Sequence, residues 1–231
     1  GLFGPKSRNL LKTLSEDNFE NDQFRFGFAK FITIEGVKIW AQRLSYVGEL
    51  GFELYVDVKD AKKIYELLIE KGKDFNLSNC GMHAMDIMRM ESGFLHWGHD
   101  ISPEENQYQA GLAFTISNKK DVDFIGKLAL EKIKQNKVKT RFSMFTLKES
   151  EPGKPLLLHD EPIYIDDKII GRSTSGNYSF NFKKNLVFGY INNDFSDEEL
   201  QTKNLFIEVE KKKYPIELIS KPLKQTNFKN N

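Results

Sequence analysis

Three places in the chain carry side chains whose types and spacing could do chemistry. The first is S-Y-V-G-E-L-G-F-E-L-Y-V, Ser45 to Val56. Side chains on a strand alternate faces, so if Phe52, Leu54 and Val56 face a core, Glu53 and Tyr55 point the other way. Gly48 and Gly51 predict a tight turn that lets a planar ligand approach the backbone. The second place is Asp86-x-x-Arg89, whose spacing lets the two charges meet on one helix face. A buried charge must be paired or must meet a ligand. A structural ion pair and a ligand-binding arginine both fit that rule. The third is His96-Trp97-Gly98-His99-Asp100. No helix sets the two histidines on one face and no cysteine joins them, so no metal site is expected. His83 and His159 read as structural.

Other chemistries find no support. There is no G-x-S-x-G, and Cys80 has no evident base. G-x-x-x-x-G-K-[ST] and G-x-G-x-x-G are absent as well, so nucleotide binding by those loops is not indicated. Only six of the 34 basic residues are Arg, at positions 8, 25, 43, 89, 141 and 172. In so lysine-rich a chain, an arginine is wanted more often for its planar fork of donors.

The elements that must position these residues follow from periodicity. Leu10, Leu11 and Leu14 predict a short capped helix, and Asn18 to Phe24 a polar loop. Ile32 and Ile34, the Glu35-Gly36 turn, then Val37, Ile39 and Ala41 predict a β-hairpin. The strand carrying Glu53 comes next. Asp57 to Gly72 reads as a helix with Gly72 as its C′ residue. Cys80 to Ser92 reads as a second helix, apolar almost all round and therefore expected to be buried. A lysine-rich helix is predicted over Phe124 to Lys137. From about Thr140 short alternating runs take over, with Gly, Asp and Asn between them, and predict a small antiparallel β-barrel or sandwich. The fold class expected is α+β: a module over residues 1–137 followed by a β domain over 138–231, joined through a polar, lysine-rich linker.

Bulk properties set the outer bounds. A chain of 231 residues, 39% hydrophobic, can bury a core as one large domain or two small ones. A formal net charge of +1 gives no global field that would favour nucleic acid or an anionic membrane. One cysteine excludes an intramolecular disulfide and fits a reducing compartment. No run of about 18 apolar residues or signal-like N-terminus is present, and a cytoplasmic location is the expectation. The chain opens Gly-Leu-Phe-Gly-Pro without an initiating Met, which reads as a fragment or a processed product.

At these residues a resemblance emerges. R-L-S-Y-V-G-E-L-G-F-E-L-Y-V resembles a signature of the glycine-cleavage T-protein (aminomethyltransferase) superfamily. G-M-H-A-M-D-I-M-R-M-E-S-G-F-L-H-W-G-H-D-I is similar to its second block. G-P-K-S-R, A-G-L-A-F, D-F-I-G-K-L-A-L, G-R-S-T-S-G-N-Y-S-F and F-G-Y-I fit the same family in order, so the resemblance covers nearly the whole chain. Within the superfamily it is nearest to the C-terminal folate region of dimethylglycine and sarcosine dehydrogenases.

The resemblance implies a truncated α/β folate-binding module followed by a barrel. It also implies tetrahydrofolate as one-carbon acceptor and a methylated amine or amino acid as donor. FAD is implied only in an upstream oxidoreductase domain of a parent protein. By carry-over Glu53 recognises the pterin ring, Tyr46 belongs to the pocket, and Arg89 binds ligand with Asp86 orienting it. No catalytic residue is carried over, because the family's proton-handling aspartate falls upstream of Gly1; this chain alone is therefore expected to be inactive. Phe228 stands where the family has a tyrosine and takes no polar role. The resemblance equally admits the T-protein itself, a folate-dependent demethylase, or a non-catalytic folate-binding module. The implied reaction is attack of the folate N5 amine on an iminium or aminomethyl carbon, the enzyme positioning the partners.

Overall fold

The computed structural model describes residues 1–117, 122–225 and 229, and they form two compact units: residues 1–94 with the C-terminal stretch from Lys224, and residues 95–223. Compactness thus divides the chain at Phe94 and Leu95, and the described part of residues 95–137 packs with the barrel. Phe228 lies outside the described residues.

The first unit is built on a four-stranded antiparallel sheet in the order β1-β4-β3-β2, from β1 (Leu2–Phe3), β2 (Ala29–Ile34), β3 (Val37–Gln42) and β4 (Gly51–Tyr55). Period-two alternation sorts its side chains. Ile32, Ile34, Ile39, Ala41 and Phe52 enter one buried cluster with Leu10, Leu11 and Leu14 of α1 (Ser7–Leu14) and Ile64 of α2 (Val58–Gly72). A fully buried Phe52 contributes roughly 2–3 kcal/mol through removal of its ring from water. The opposite face keeps Phe31, Trp40, Glu53 and Tyr55, with Phe31 and Tyr55 each 54% exposed.

The segment Asn18 to Phe24 is polar in composition yet places Phe19 and Phe24 in the core, edge-on or tilted against Phe52 at 5.9 and 5.6 Å between ring centroids. Gly72 does not act as the expected C′ residue. It is the last α-helical residue, a 3-10 turn follows over Lys73–Phe75, and Asn76 (φ 58°) takes the left-handed conformation. The next helix, α3 (Met82–Glu91), is buried only at its C-terminal end. Ile87, Arg89, Met90 and Glu91 are inside, whereas Met82 is 68% exposed and His83 is exposed. Apolar composition all round did not make it a core helix: burial is confined to its C-terminal end, and the unit's buried apolar cluster contains none of its residues.

The second unit carries α4 (Lys127–Gln135) and a closed antiparallel barrel in the order β10-β5-β8-β7-β6-β9. Its strands are β5 (Thr140–Leu147), β6 (Pro162–Ile165), β7 (Lys168–Ser179), β8 (Lys184–Asn192), β9 (Leu205–Val209) and β10 (Lys212–Ile219), and α5 (Asp197–Gln201) follows β8. Closure leaves no unpaired edge, and Phe145, Ile163, Val187, Ile191 and Ile207 fill the interior. Ser196 caps α5 in a reciprocal capping box with Glu199.

Candidate functional site

Glu53 lies in the middle of β4, half-buried, on the sheet face away from the core. Its cross-strand neighbour is Gln42, and Tyr55, two residues on, stands beside Trp40. The Tyr55 hydroxyl donates to Glu53 Oε2 at 2.8 Å. That hydrogen bond, and then the carboxylate's charge, push the Tyr55 phenol above its ordinary range. The hydroxyl therefore stays protonated and donating.

Tyr46 and Arg89 meet through a third residue. The Tyr46 ring stacks on Phe94 with centroids 6.4 Å apart and planes 18° from parallel. Arg89, 1% exposed, donates from Nη1 to the Phe94 carbonyl at 3.0 Å. Its Nε and Nη2 reach Asp86 Oδ1 at 2.9 and 2.8 Å. All three guanidinium nitrogens are thus engaged in a clamp that ties the end of α3 to the turn after it. Asp86 and Arg89 meet, as their spacing predicts. Phe94, which links Tyr46 to Arg89, escaped the sequence reading, since a lone aromatic after a glycine carries no signal.

The two glycines of the Tyr46–Gly51 turn are required, but for a different reason than a ligand's approach. Gly48 has φ +66°, and a Cβ there would meet the Ser92 side chain. Gly51 has an ordinary φ, and a Cβ there would meet the Phe3 ring and lie 2.6 Å from the Leu44 carbonyl oxygen. The chain's own atoms fill the space that the glycines vacate. Lys224 Nζ then binds Glu49 and the Val47 carbonyl, so the tail's first residue covers the same turn.

A cavity of about 670 Å³ opens in this unit, lined by Leu54, Val56, Ile64, Tyr65, Leu68 and Met88 among others. Its lining does not include Tyr46, Glu53 or Arg89. Leu54 and Val56 place it on the core side of β4, and it is a predominantly apolar wedge. The polar chemistry lies on the other face of the sheet. A half-buried acceptor beside a row of aromatic side chains suits the adjacent ring N–H and amino donors of a pterin, so the residues present fit tetrahydrofolate by donor and acceptor type.

In the second unit the His-Trp-Gly-His turn is docked by Asp100, which is 1% exposed. Its Oδ2 accepts from the His96 backbone N–H at 2.9 Å, and its Oδ1 from Thr174 Oγ1 and Ser175 Oγ at 2.5 and 2.8 Å. A register shift in β7 between Ser173 and Ser175 lets two successive side chains reach one carboxylate. The structure also brings the distant His159 towards this turn: the His96 and His99 rings are 4.5 Å apart, and His99 and His159 6.4 Å. His159 itself is tied to Asp160, which also pairs with Arg172. Among the described residues no group of three His, Cys, Asp or Glu is placed to hold a metal ion, and no helix is long and apolar enough to cross a membrane.

Comparison with known proteins agrees with this architecture. Residues 1–120 match the family described as the GCVT N-terminal domain, and residues 141–224 the glycine cleavage T-protein C-terminal barrel domain. Human mitochondrial dimethylglycine dehydrogenase is 33% identical over 223 residues, 96% of this chain and 25% of that protein. An aminomethyltransferase from Alkaliphilus metalliredigens is 33% identical over 228 residues, 99% of this chain and 60% of that protein. The crystal structure of glycine cleavage system aminomethyltransferase T from Bartonella henselae superposes with a TM-score of 0.79 at 20% identity, over 95% of this chain and 57% of that one. The chain therefore spans between a quarter and three-fifths of the length of these relatives. With matches over both units and the barrel closed as the family's description requires, the chain belongs to the glycine-cleavage T-protein family.

Proposed function

We propose that this chain is the tetrahydrofolate-binding portion of a one-carbon (aminomethyl or methylene) transferase, within a protein of the dimethylglycine or sarcosine dehydrogenase kind. The observation that carries the reading is Glu53: a half-buried carboxylate on the outward face of β4, held by Tyr55 and bordered by aromatic side chains. The family match and the dehydrogenase and aminomethyltransferase relatives support it. Folate supplies the nucleophilic amine that takes up the one-carbon unit. In this reading Glu53 accepts from the ring's adjacent N–H and amino groups and so sets the ring's orientation. Tyr46 offers an aromatic face, and Arg89 holds Phe94 behind it. The methylated amine or amino acid, and a flavin domain that oxidises it, belong to the proposal for the whole protein.

The test is titration of the chain with 5-formyltetrahydrofolate, with thermal melts as the folding control. Glu53→Ala removes a charged acceptor from paired donors, a loss of about 1.5–3 kcal/mol per hydrogen bond, so affinity should fall roughly tenfold or more. The melting temperature should hold, because β4 packs through Phe52 and Leu54. Unchanged affinity in a well-folded Glu53→Ala protein would leave Glu53 as a strand residue and overturn the reading.

A further inference from the structure

We infer that Tyr55 is a positioning residue for Glu53: its hydroxyl fixes the orientation of the carboxylate that meets the ligand, an inference that rests on the folate reading above. A glutamate has three rotatable side-chain bonds, and on an open sheet face little packing restricts them. Among the described residues Tyr55 is the one that hydrogen-bonds to the Glu53 side chain. The residue that does the fixing is itself placed by the sheet. Tyr55, Trp40 and Phe31 are in register across β4, β3 and β2. The Trp40 ring packs edge-on against Phe31 at 4.9 Å, and Lys38 Nζ lies 4.2 Å from the centre of the Phe31 ring. The next row, Glu53, Gln42 and Ala29, ends in a small residue. A shelf therefore runs beside the aromatic row with the carboxylate at its end.

The hydrogen bond uses one acceptor position on Oε2. Oε1 and the second lone pair of Oε2 remain for two parallel donors. The phenol's raised affinity for its proton, caused first by this bond, keeps it the donor. The strand's alternation places Tyr55 on the same face as Glu53, and the bond between them is a local contact on that strand.

Two measurements on the whole chain test the inference. In ultraviolet titration of the tyrosines, Tyr55 should ionise above the ordinary range together with Tyr164 and Tyr190, and this late-ionising group should lose one phenol in Tyr55→Phe and, by return of that phenol towards the ordinary range, in Glu53→Gln. In titration with 5-formyltetrahydrofolate, Tyr55→Phe should bind roughly three- to tenfold more weakly at an unchanged melting temperature. The Tyr55→Phe/Glu53→Ala double variant should bind no more weakly than Glu53→Ala, since a residue acting through another adds nothing once that other is gone. Additive losses, or full affinity in Tyr55→Phe alongside a weakened Glu53→Ala, would overturn the positioning role and leave the folate reading standing. Full affinity in Glu53→Ala, or no binding by the unaltered chain, would overturn the folate reading and this inference with it.

Discussion

Asp100→Ala should loosen the His96–Ile101 turn and destabilise the unit that holds it. The carboxylate is buried and accepts three hydrogen bonds, from the His96 backbone and from the Thr174 and Ser175 hydroxyls. Hydrogen bonds to a charged group contribute about 1.5–3 kcal/mol each. The low end for three bonds is about 4.5 kcal/mol, and release from burying the charge returns part of it. A net loss of about 3 kcal/mol is expected, which at a urea slope of about 2–3 kcal/mol per molar lowers the midpoint by about 1–1.5 M. Asp100→Asn keeps an acceptor but loses the charge and turns an N–H towards a donor, so it should fall about halfway. Ser175→Ala removes one bond to the carboxylate and should cost about 1.5 kcal/mol. Trp97 lies inside the turn at 65% exposure, so its fluorescence and iodide quenching report the turn directly while the denaturation curve reports the unit. A urea midpoint and Trp97 quenching in Asp100→Ala that match the unaltered chain would show that the turn holds without the carboxylate, and the reasoning would fail.

Three further outcomes are expected. Gly48→Ala should cost about 2–3 kcal/mol, from a left-handed backbone that L-residues resist by about 1–2 kcal/mol plus contact with Ser92. Combining it with Ser92→Gly should restore the contact's share alone, and full recovery would contradict the backbone argument. Lys184 and then Thr146 hold the Glu217 carboxyl below its ordinary range. Because the folded value is depressed, this stabilisation is present above the unfolded value of about 4.3 and is lost as pH falls through the folded value. Glu217→Gln should therefore flatten the acid limb of barrel stability below about pH 5, and an unaltered limb would count against the pairing. Elemental analysis after dialysis against zinc should find well under one equivalent, since the described histidines converge without a metal-ligating geometry. A full equivalent lost in His99→Ala would reverse that.

Much of the fold follows from local pattern, because a strand's faces and a helix's stripe depend only on backbone period. Ile32, Ile39 and Phe52 announce the core face of the sheet, and the same alternation sends Glu53 and Tyr55 outward together. Three-residue spacing likewise predicts that Asp86 meets Arg89. The short alternating runs after Thr140 predict an antiparallel β domain, although they do not distinguish a sandwich from the closed barrel. Contacts between residues distant along the chain carry no such period. Phe19 and Phe24 sit in a polar stretch, and only the three-dimensional packing against Phe52 takes them into the core. Asp100 finds Thr174 and Ser175 more than seventy residues away, through a bulge that the sequence of β7 does not mark. The exposure of Met82, the Tyr46–Phe94–Arg89 chain of contacts and the side chains that occupy the space beside Gly48 and Gly51 are decided in the same way. Sequence alone sets which face each side chain takes on its own element, because that depends on a few backbone angles. The tertiary structure decides what lies opposite, because that depends on where distant parts of the chain come to rest.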